Sequence, residues 1–194
     1  MSFKNHEFFG LSALPLTAHA FRTGRTAAGV FLSYLVLLTG TAIWTAWRAI
    51  RDRTAVAMFI RHHHRLLAWL NLAGAAIVLV LGLAKRAALL IGFSIFGLLL
   101  AWRMLRFIAA PPTERSWWVQ SHYVGIVGSG VATHIAFLNV GLRRVIELDR
   151  SNISLYLAWF GPALVAVGII PWLNHRYRQS AAKLETVVQR SLPW

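Results

Sequence analysis

Histidine is the residue type in this sequence with the widest chemical use, and it occurs in two places that could form a site. A triplet occupies positions 62–64, and His122 and His134 flank a glycine-rich run farther along the chain. An imidazole nitrogen can ligate haem iron or form a hydrogen bond to a quinone head group. Together with two asparagines of the same segments, the candidate cofactor-binding residues are His62, His63, His64, His122, His134, Asn71 and Asn139.

The spacing of these residues limits the geometry of such a site. An α-helix turns by roughly 100° per residue, so His122 and His134 lie about 120° apart and cannot share one helix face. A stacked pair of haems, which needs two histidines on one face of each helix, is therefore disfavoured. His64 and Asn71 do share a face. A single site fits the spacing, with one histidine of the triplet facing His122 and binding a b-type haem, a metal or a quinone head group.

The acidic residues exclude several classes of reaction. All six lie outside the apolar stretches of the sequence, at Glu7, Asp52, Glu114, Glu147, Asp149 and Glu185. Paired carboxylates for intramembrane hydrolysis are therefore missing, and transport coupled to a membrane carboxylate is disfavoured. The chain has no cysteine, which excludes disulfides, thiolate metal ligands and a cysteine nucleophile. We predict no catalytic residue.

The elements that must position these side chains are membrane-spanning helices. Hydrophobic residues make up 57% of the chain and charged residues only 13%, which is too little charge to cover a soluble protein. A span needs about 20 apolar residues, and the candidate stretches are 26–46, 66–84, 87–102, 121–142 and 153–173. We therefore predict an all-α membrane bundle of about five helices over residues 26–175, with helices two and four at its centre. Residues 1–25 should form a lead-in at the membrane interface, and residues 176–194 a basic cytoplasmic tail.

The Lys and Arg residues predict the orientation of the bundle. Of the 20, twelve fall on the side that holds the loops after helices one and three and the C-terminal segment. That side should face the cytoplasm, which puts the N-terminus in the periplasm. The net charge of +14 comes from loops between apolar runs, so anionic lipid head groups are better partners for it than nucleic acid. The basic residues that we expect to face lipid are Arg48, Arg51, Arg53, Arg61 and Arg65.

The histidines also have purely structural interpretations. A triplet between two arginines is typical of a solvated basic cluster at the interface, and His122 of an interface anchor. His134 lies about 18 Å from His122 along the helix axis, near mid-membrane. A titratable side chain at that depth is functional by default. A neutral His134 that is hydrogen-bonded across helices to Asn71 would instead serve packing alone.

Two segments resemble a known family when they are taken together. They are HHHRLLAWLNLAGAAIVLVLGL at 62–83 and WWVQSHYVGIVGSGVATHIAFLNVGL at 117–142. They resemble small, multi-spanning bacterial membrane proteins grouped as a domain of unknown function, which keep a His-Arg segment before one helix and a Trp/His segment leading into an ATHIAFL helix. The resemblance implies a bacterial inner (plasma) membrane and points to the histidines and asparagines named above. It implies no activity.

Three hypotheses about function follow. The first is a non-catalytic accessory subunit of a larger membrane complex, respiratory or photosynthetic, because the predicted core has no acid and its small residues favour close helix packing. The alternative is a small redox protein that binds haem or quinone through histidines at the cytoplasmic ends of helices two and four. The third, a transporter of a small solute, is disfavoured by the missing membrane carboxylate.

Overall fold

The described part of the chain is built from helices alone, which confirms the all-α class. The computed structural model describes residues 15–114, 116–141 and 152–191, and these contain no strand. Residues 15–22 are helical and precede the first long helix. The helices that follow are α1 (Thr26–Arg51), α2 (Val56–Phe59), α3 (His62–Lys85), α4 (Ala88–Ala109), α5 (Trp117–Ala136) and α6 (Asn152–Ser191). A π-helical segment, Phe137–Gly141, continues α5.

Among the described residues, four helices are long and apolar enough to cross a membrane. They are α1, α3, α4 and the Ile153–Tyr177 part of α6, so the chain is a multi-pass membrane protein, as the composition predicts. The helix that corresponds to the remaining predicted span, α5, is not among the four. It is more polar along its length, since Gln120, His122 and His134 all belong to it.

Several helices run farther than the apolar stretches that predicted them. The structure extends α1 to Arg51, α4 to Ala109 and α6 to Ser191. The predicted tail is therefore, as far as Ser191, a continuation of the last helix. Basic residues end an apolar span without ending a helix, because Lys and Arg are good helix formers whose charged ends reach the aqueous side.

A tight turn joins α3 to α4, as the short separation of their apolar stretches predicts. Arg86 ends α3 in the left-handed conformation, with φ at 50°. The amide of Ala87 closes the turn by donating to the carbonyl of Gly82 over 2.8 Å. Gly82 also leaves room for the start of α4, because a Cβ there would lie 3.0 Å from the backbone nitrogen of Ile91. The two helices consequently pack as an antiparallel hairpin.

The centre of the bundle differs from the prediction. Helix α1 packs on both α3 and α5. Helix α3 packs chiefly on α4, whereas α5 packs chiefly on α1 and less on α6. The first helix, not the pair α3 and α5, is therefore the central one. Its position follows from its small residues, since Ala42 and Ala46 allow α5 to approach closely at Gly125.

The hydrophobic core lies toward the N-terminal ends of α1 and α4. Its buried members come from α1, α3, α4 and α5, and are Phe31, Tyr34, Ala75, Val78, Phe93 and Ile135. Trp159 of α6 completes this group, with its ring 5.7 Å from that of Phe31 and 5.6 Å from that of Phe93. These contacts bring the start of α6 back to α1 and α4.

Candidate functional site

The histidine triplet divides between the bundle interior and its surface. His62 and His63 are exposed, whereas the side chain of His64 is only 4% exposed. The 3.6-residue period allows one of three adjacent positions at a helix start to point inward. Both ring nitrogens of His64 are buried and form no hydrogen bond with the described residues. A buried imidazole of this kind carries a free-energy penalty.

Aromatic rings surround His64 and close one end of the bundle. We call Phe59, His64, Phe107 and Trp117 the aromatic cap. Phe59 is its centre, with ring centroids 4.6 Å from His64, 5.6 Å from Phe107 and 4.9 Å from Trp117. The cap therefore joins α2, α3, α4 and α5 at the same level. The polar nitrogens of His64 lie within an otherwise apolar cluster.

His122 faces α1 instead of the triplet. Its Nδ1 lies 3.0 Å from the carbonyl oxygen of Ala46. Because a carbonyl can only accept a hydrogen bond, this contact places a proton on Nδ1 and leaves Nε2 as an acceptor in the neutral ring. His63 also contacts α1, with its ring 5.6 Å from that of Trp44.

The described contacts of His122 and His63 are both with α1, so the pairing of His122 with the triplet stays a prediction. Trp44 and Ala46 are two positions apart, which is about 200° around the helix. Helix α1 thus stands between His63 and His122. Of the triplet, His64 is the member on the side of α5, since Phe59 contacts both His64 and Trp117. Haem or quinone binding by the individual histidines stays a prediction.

Asn71 joins two helices in the bundle interior. Its side chain is 0% exposed, and its Nδ2 donates to Thr41 Oγ1 over 2.8 Å and to the carbonyl of Leu67 over 2.8 Å. The Thr41 hydroxyl donates in turn to the carbonyl of Leu37. Asn71 is thus paired with α1 and not, as one interpretation of the sequence expected, with His134.

His134 lies on the outside of the bundle. It is exposed, and its Nδ1 donates to the carbonyl of Gly130, one turn earlier, over 2.8 Å. The neighbouring Ile135 packs in the core beside Phe31 and Phe93, each five residues from the start of its helix. His134 therefore lies about one and a half turns inside the bundle end, and its depth in the membrane stays a prediction.

Asn139, the last of the predicted candidates, links α5 to α6. Its Nδ2 donates to the carbonyl of Ile135 over 2.9 Å and to that of Ala158 over 3.2 Å. The bond to Ala158 crosses to α6 and accompanies the π-helical segment. The Oδ1 of Asn139 is buried and has no hydrogen-bond partner among the described residues.

The five basic residues that the sequence predicts to face lipid also differ in their exposure. Arg51, Arg53, Arg61 and Arg65 are exposed, and their contact with lipid head groups stays a prediction. Arg48 differs, because its guanidinium forms an ion pair with the buried carboxylate of Asp52. Asp52 follows directly on the last residue of α1, and its i, i+4 spacing from Arg48 accounts for the pair.

Some polar contacts of the bundle could not be expected from the sequence. Asn174 of α6 accepts hydrogen bonds from Gln120 and from the Tyr123 hydroxyl of α5. The Tyr34 hydroxyl lies against Gly97 of α4. The small and polar residues of these helices predict close packing. They do not predict which residues contact each other, because that depends on the rotation of each helix about its axis.

Neither a metal cluster nor a relative was found. Within the described ranges, no group of three or more His, Asp or Glu side chains could hold a metal ion. Comparison of the chain with protein-family models, with curated proteins and with solved structures gave no match.

The bond between Asn71 and Thr41 gives a first testable prediction. Thr41→Val keeps the side-chain shape but removes the oxygen that accepts from Asn71. We expect a loss of about 0.6–2 kcal/mol in the free energy of unfolding, the range measured for hydrogen bonds between membrane helices. Denaturant titration in mild detergent measures it. Thr45→Val on the same helix is the control and should change the stability much less.

A double-mutant cycle separates this bond from other effects. Asn71→Ala and Thr41→Val should be clearly less than additive when they are combined, because both remove the same interaction. Full additivity would mean that the two side chains do not interact in the folded protein.

Proposed function

We propose that this protein is a non-catalytic subunit of a larger membrane complex, and that it assembles through the outer side of α5. This side consists of Ile126, Gly130, Thr133, His134 and Phe137. The observation that carries the proposal is the exposed imidazole of His134, which lies inside the bundle end and points away from the bundle.

The cost of placing an imidazole against lipid supports this proposal. Polar side chains at membrane depth normally face the bundle interior, a water-filled cavity or another protein. The Nδ1 of His134 is bonded within α5, so its Nε2 remains as the group that needs a partner. A donor from a neighbouring subunit would satisfy it, whereas hydrocarbon would not.

The shape of the same surface is also that of a helix-packing surface. A Cβ atom on Gly130 would meet nothing within 4 Å, so the glycine leaves an open notch beside His134. Small residues allow membrane helices to approach closely, and polar side chains then bond across the contact. Ile126 and Phe137 are exposed on either side of the notch and would border a docked helix.

Purification from the native host tests the proposal. In mild detergent, the wild-type chain should co-purify with one or more defined membrane proteins. His134→Leu should remove them while leaving the yield of this chain unchanged, because leucine is favourable in a lipid-facing position. The amounts of the co-purifying proteins can be read by quantitative mass spectrometry.

Two glycine variants distinguish loss of the partner contact from a general loss of folding. Gly130→Leu should fill the notch and release the partner. Gly40→Leu changes a glycine on α1 that also has no atom within 4 Å, and it should retain the partner. Equal effects of the two variants would contradict the proposal, as would a wild-type chain that purifies alone or with a stoichiometric chromophore.

A further inference from the structure

The end of α1 and the start of α3 meet in a cluster of tryptophan, histidine and arginine. The Trp44 ring lies 5.2 Å from the ring of Trp47 and 5.6 Å from that of His63. The guanidinium of Arg51 lies 5.1 Å from the Trp47 ring. Tryptophan and arginine side chains of this kind are typical of the level where lipid head groups begin. The two spans therefore share one interfacial surface.

A groove at the start of α3 continues this surface. It is lined by His62, His63, Arg65 and Leu66, and His63 belongs both to the groove and to the tryptophan cluster. Arg65 and the two imidazoles make the part of the groove at the helix start polar, and Leu66 makes the remaining part apolar. Leu66 is 57% exposed and Trp69, almost one turn farther along the span, is 60% exposed.

No acidic side chain of α3 balances the positive charge at the start of this helix. No side chain caps the helix at Arg61, and its first turn contains no acidic residue. The backbone amides of a helix start and the positive end of the helix dipole both favour an anion. Here the exposed arginines Arg61 and Arg65 add charge of the same sign. The nearby carboxylate of Asp52 is paired with Arg48.

We propose that this groove is a binding site for one anionic phospholipid of the surrounding bilayer. The phosphate lies between Arg65 and the imidazoles of His62 and His63, and an acyl chain runs along Leu66 toward Trp69. The inference goes beyond assembly with other subunits, because it concerns a different helix and a different ligand.

Because the groove has both a polar and an apolar part, it fits an anionic phospholipid better than a soluble phosphate compound or a zwitterionic phospholipid. A soluble phosphate compound would contact only the charged half and would leave Leu66 and Trp69 uncovered. A zwitterionic phospholipid has the same apolar part but brings a second cation to a surface that already carries Arg61 and Arg65. An anionic phospholipid matches both halves.

Native mass spectrometry of the full-length chain in detergent provides the test. Phosphatidylglycerol and phosphatidylcholine are titrated separately, and one equivalent of phosphatidylglycerol should bind about tenfold more tightly. The double variant His63→Gln with Arg65→Gln should lose about this factor. Arg65→Lys, which keeps the charge, should retain most of the affinity. Arg103→Gln is the matched control, since Arg103 is exposed at the same end of the bundle but on α4, and it should change the affinity less than about twofold.

Glycerol 3-phosphate distinguishes a lipid site from a simple phosphate site. It should not compete with phosphatidylglycerol at millimolar concentration, because it lacks the acyl chains. Effective competition would overturn the proposal in favour of a site for soluble phosphate compounds. Equal affinity for the two lipids, or an equal loss in the Arg103→Gln control, would overturn it as well. Gel filtration and circular dichroism of each variant ensure that lost binding is not lost folding.

Discussion

Replacing Gly125 with alanine should force α1 and α5 apart. A Cβ atom at this position would lie 2.6 Å from the carbonyl oxygen of Ala42, 2.8 Å from the Cβ of Ala46 and 2.9 Å from the nitrogen of Ala46. None of these atoms can move by rotating a side chain, so one helix must shift against the other. Overpacking of a core typically costs about 1–3 kcal/mol, and we expect the upper end of this range.

Thermal unfolding in mild detergent, followed by circular dichroism, measures the effect of Gly125→Ala. Gly130→Ala lies on the same helix and meets no atom within 4 Å. It should leave the stability unchanged or raise it slightly, because alanine favours a helix by about 1 kcal/mol over glycine. Gly128→Ala is an intermediate case, with an ordinary 3.4 Å contact to the Cβ of Ala42. Equal stability of all three variants would contradict the close approach of α1 and α5.

Gly97→Ala should disrupt the packing of α4 against the centre of the bundle even more directly. Its new Cβ would overlap the hydroxyl oxygen of Tyr34 and lie 2.7 Å from the Cζ atom of the same ring. Tyr34 is buried and cannot easily turn aside, since its ring also lies against Gly74 of α3, where a Cβ would be 3.0 Å away. The expected loss is about 3 kcal/mol, measured by the same unfolding experiment.

A second substitution, at Tyr34, tests whether this side chain causes the loss of stability in Gly97→Ala. Tyr34→Leu shortens the side chain and should restore part of the stability that Gly97→Ala removes, although it leaves a cavity when made alone. Gly168→Ala on α6, which meets nothing within 4 Å, controls for adding a methyl group to a membrane helix. If Tyr34→Leu destabilises the Gly97→Ala protein as much as it does the wild type, the proposed overlap is wrong.

The sequence predicts the membrane class and the helices well, for a simple physical reason. The hydrocarbon layer requires a fixed length of apolar residues with their backbone hydrogen bonds made internally. Apolar stretches and their basic borders therefore appear directly in the residue order. Local residue order also predicts the turn between α3 and α4 and the exposure of the arginines near the end of α1.

The pairing of helix faces is much harder to predict from sequence. A membrane helix is apolar on most sides, so hydrophobicity does not identify the side that faces its neighbours. The position of α1 between α3 and α5, and with it the separation of His63 from His122, depends on contacts such as that of Gly125 with Ala46. The triplet illustrates the same difficulty, since the sequence treats its three histidines alike and only His64 is buried.

Helix α6 extends well beyond the part of it that is apolar enough to cross a membrane. A helix of 40 residues is about 60 Å long, roughly twice the thickness of the hydrocarbon layer. The apolar part ends at Tyr177, and the helix continues to Ser191, about 20 Å farther. Both prolines of α6, Pro162 and Pro171, lie in its apolar part, so the segment beyond Tyr177 is helix without an internal proline and is a stiffer spacer than a flexible tail. A fluorescent label near Ser191 would therefore report a nearly constant height above the bilayer surface, and a protein that recognises this segment would meet it at a fixed distance from the lipid.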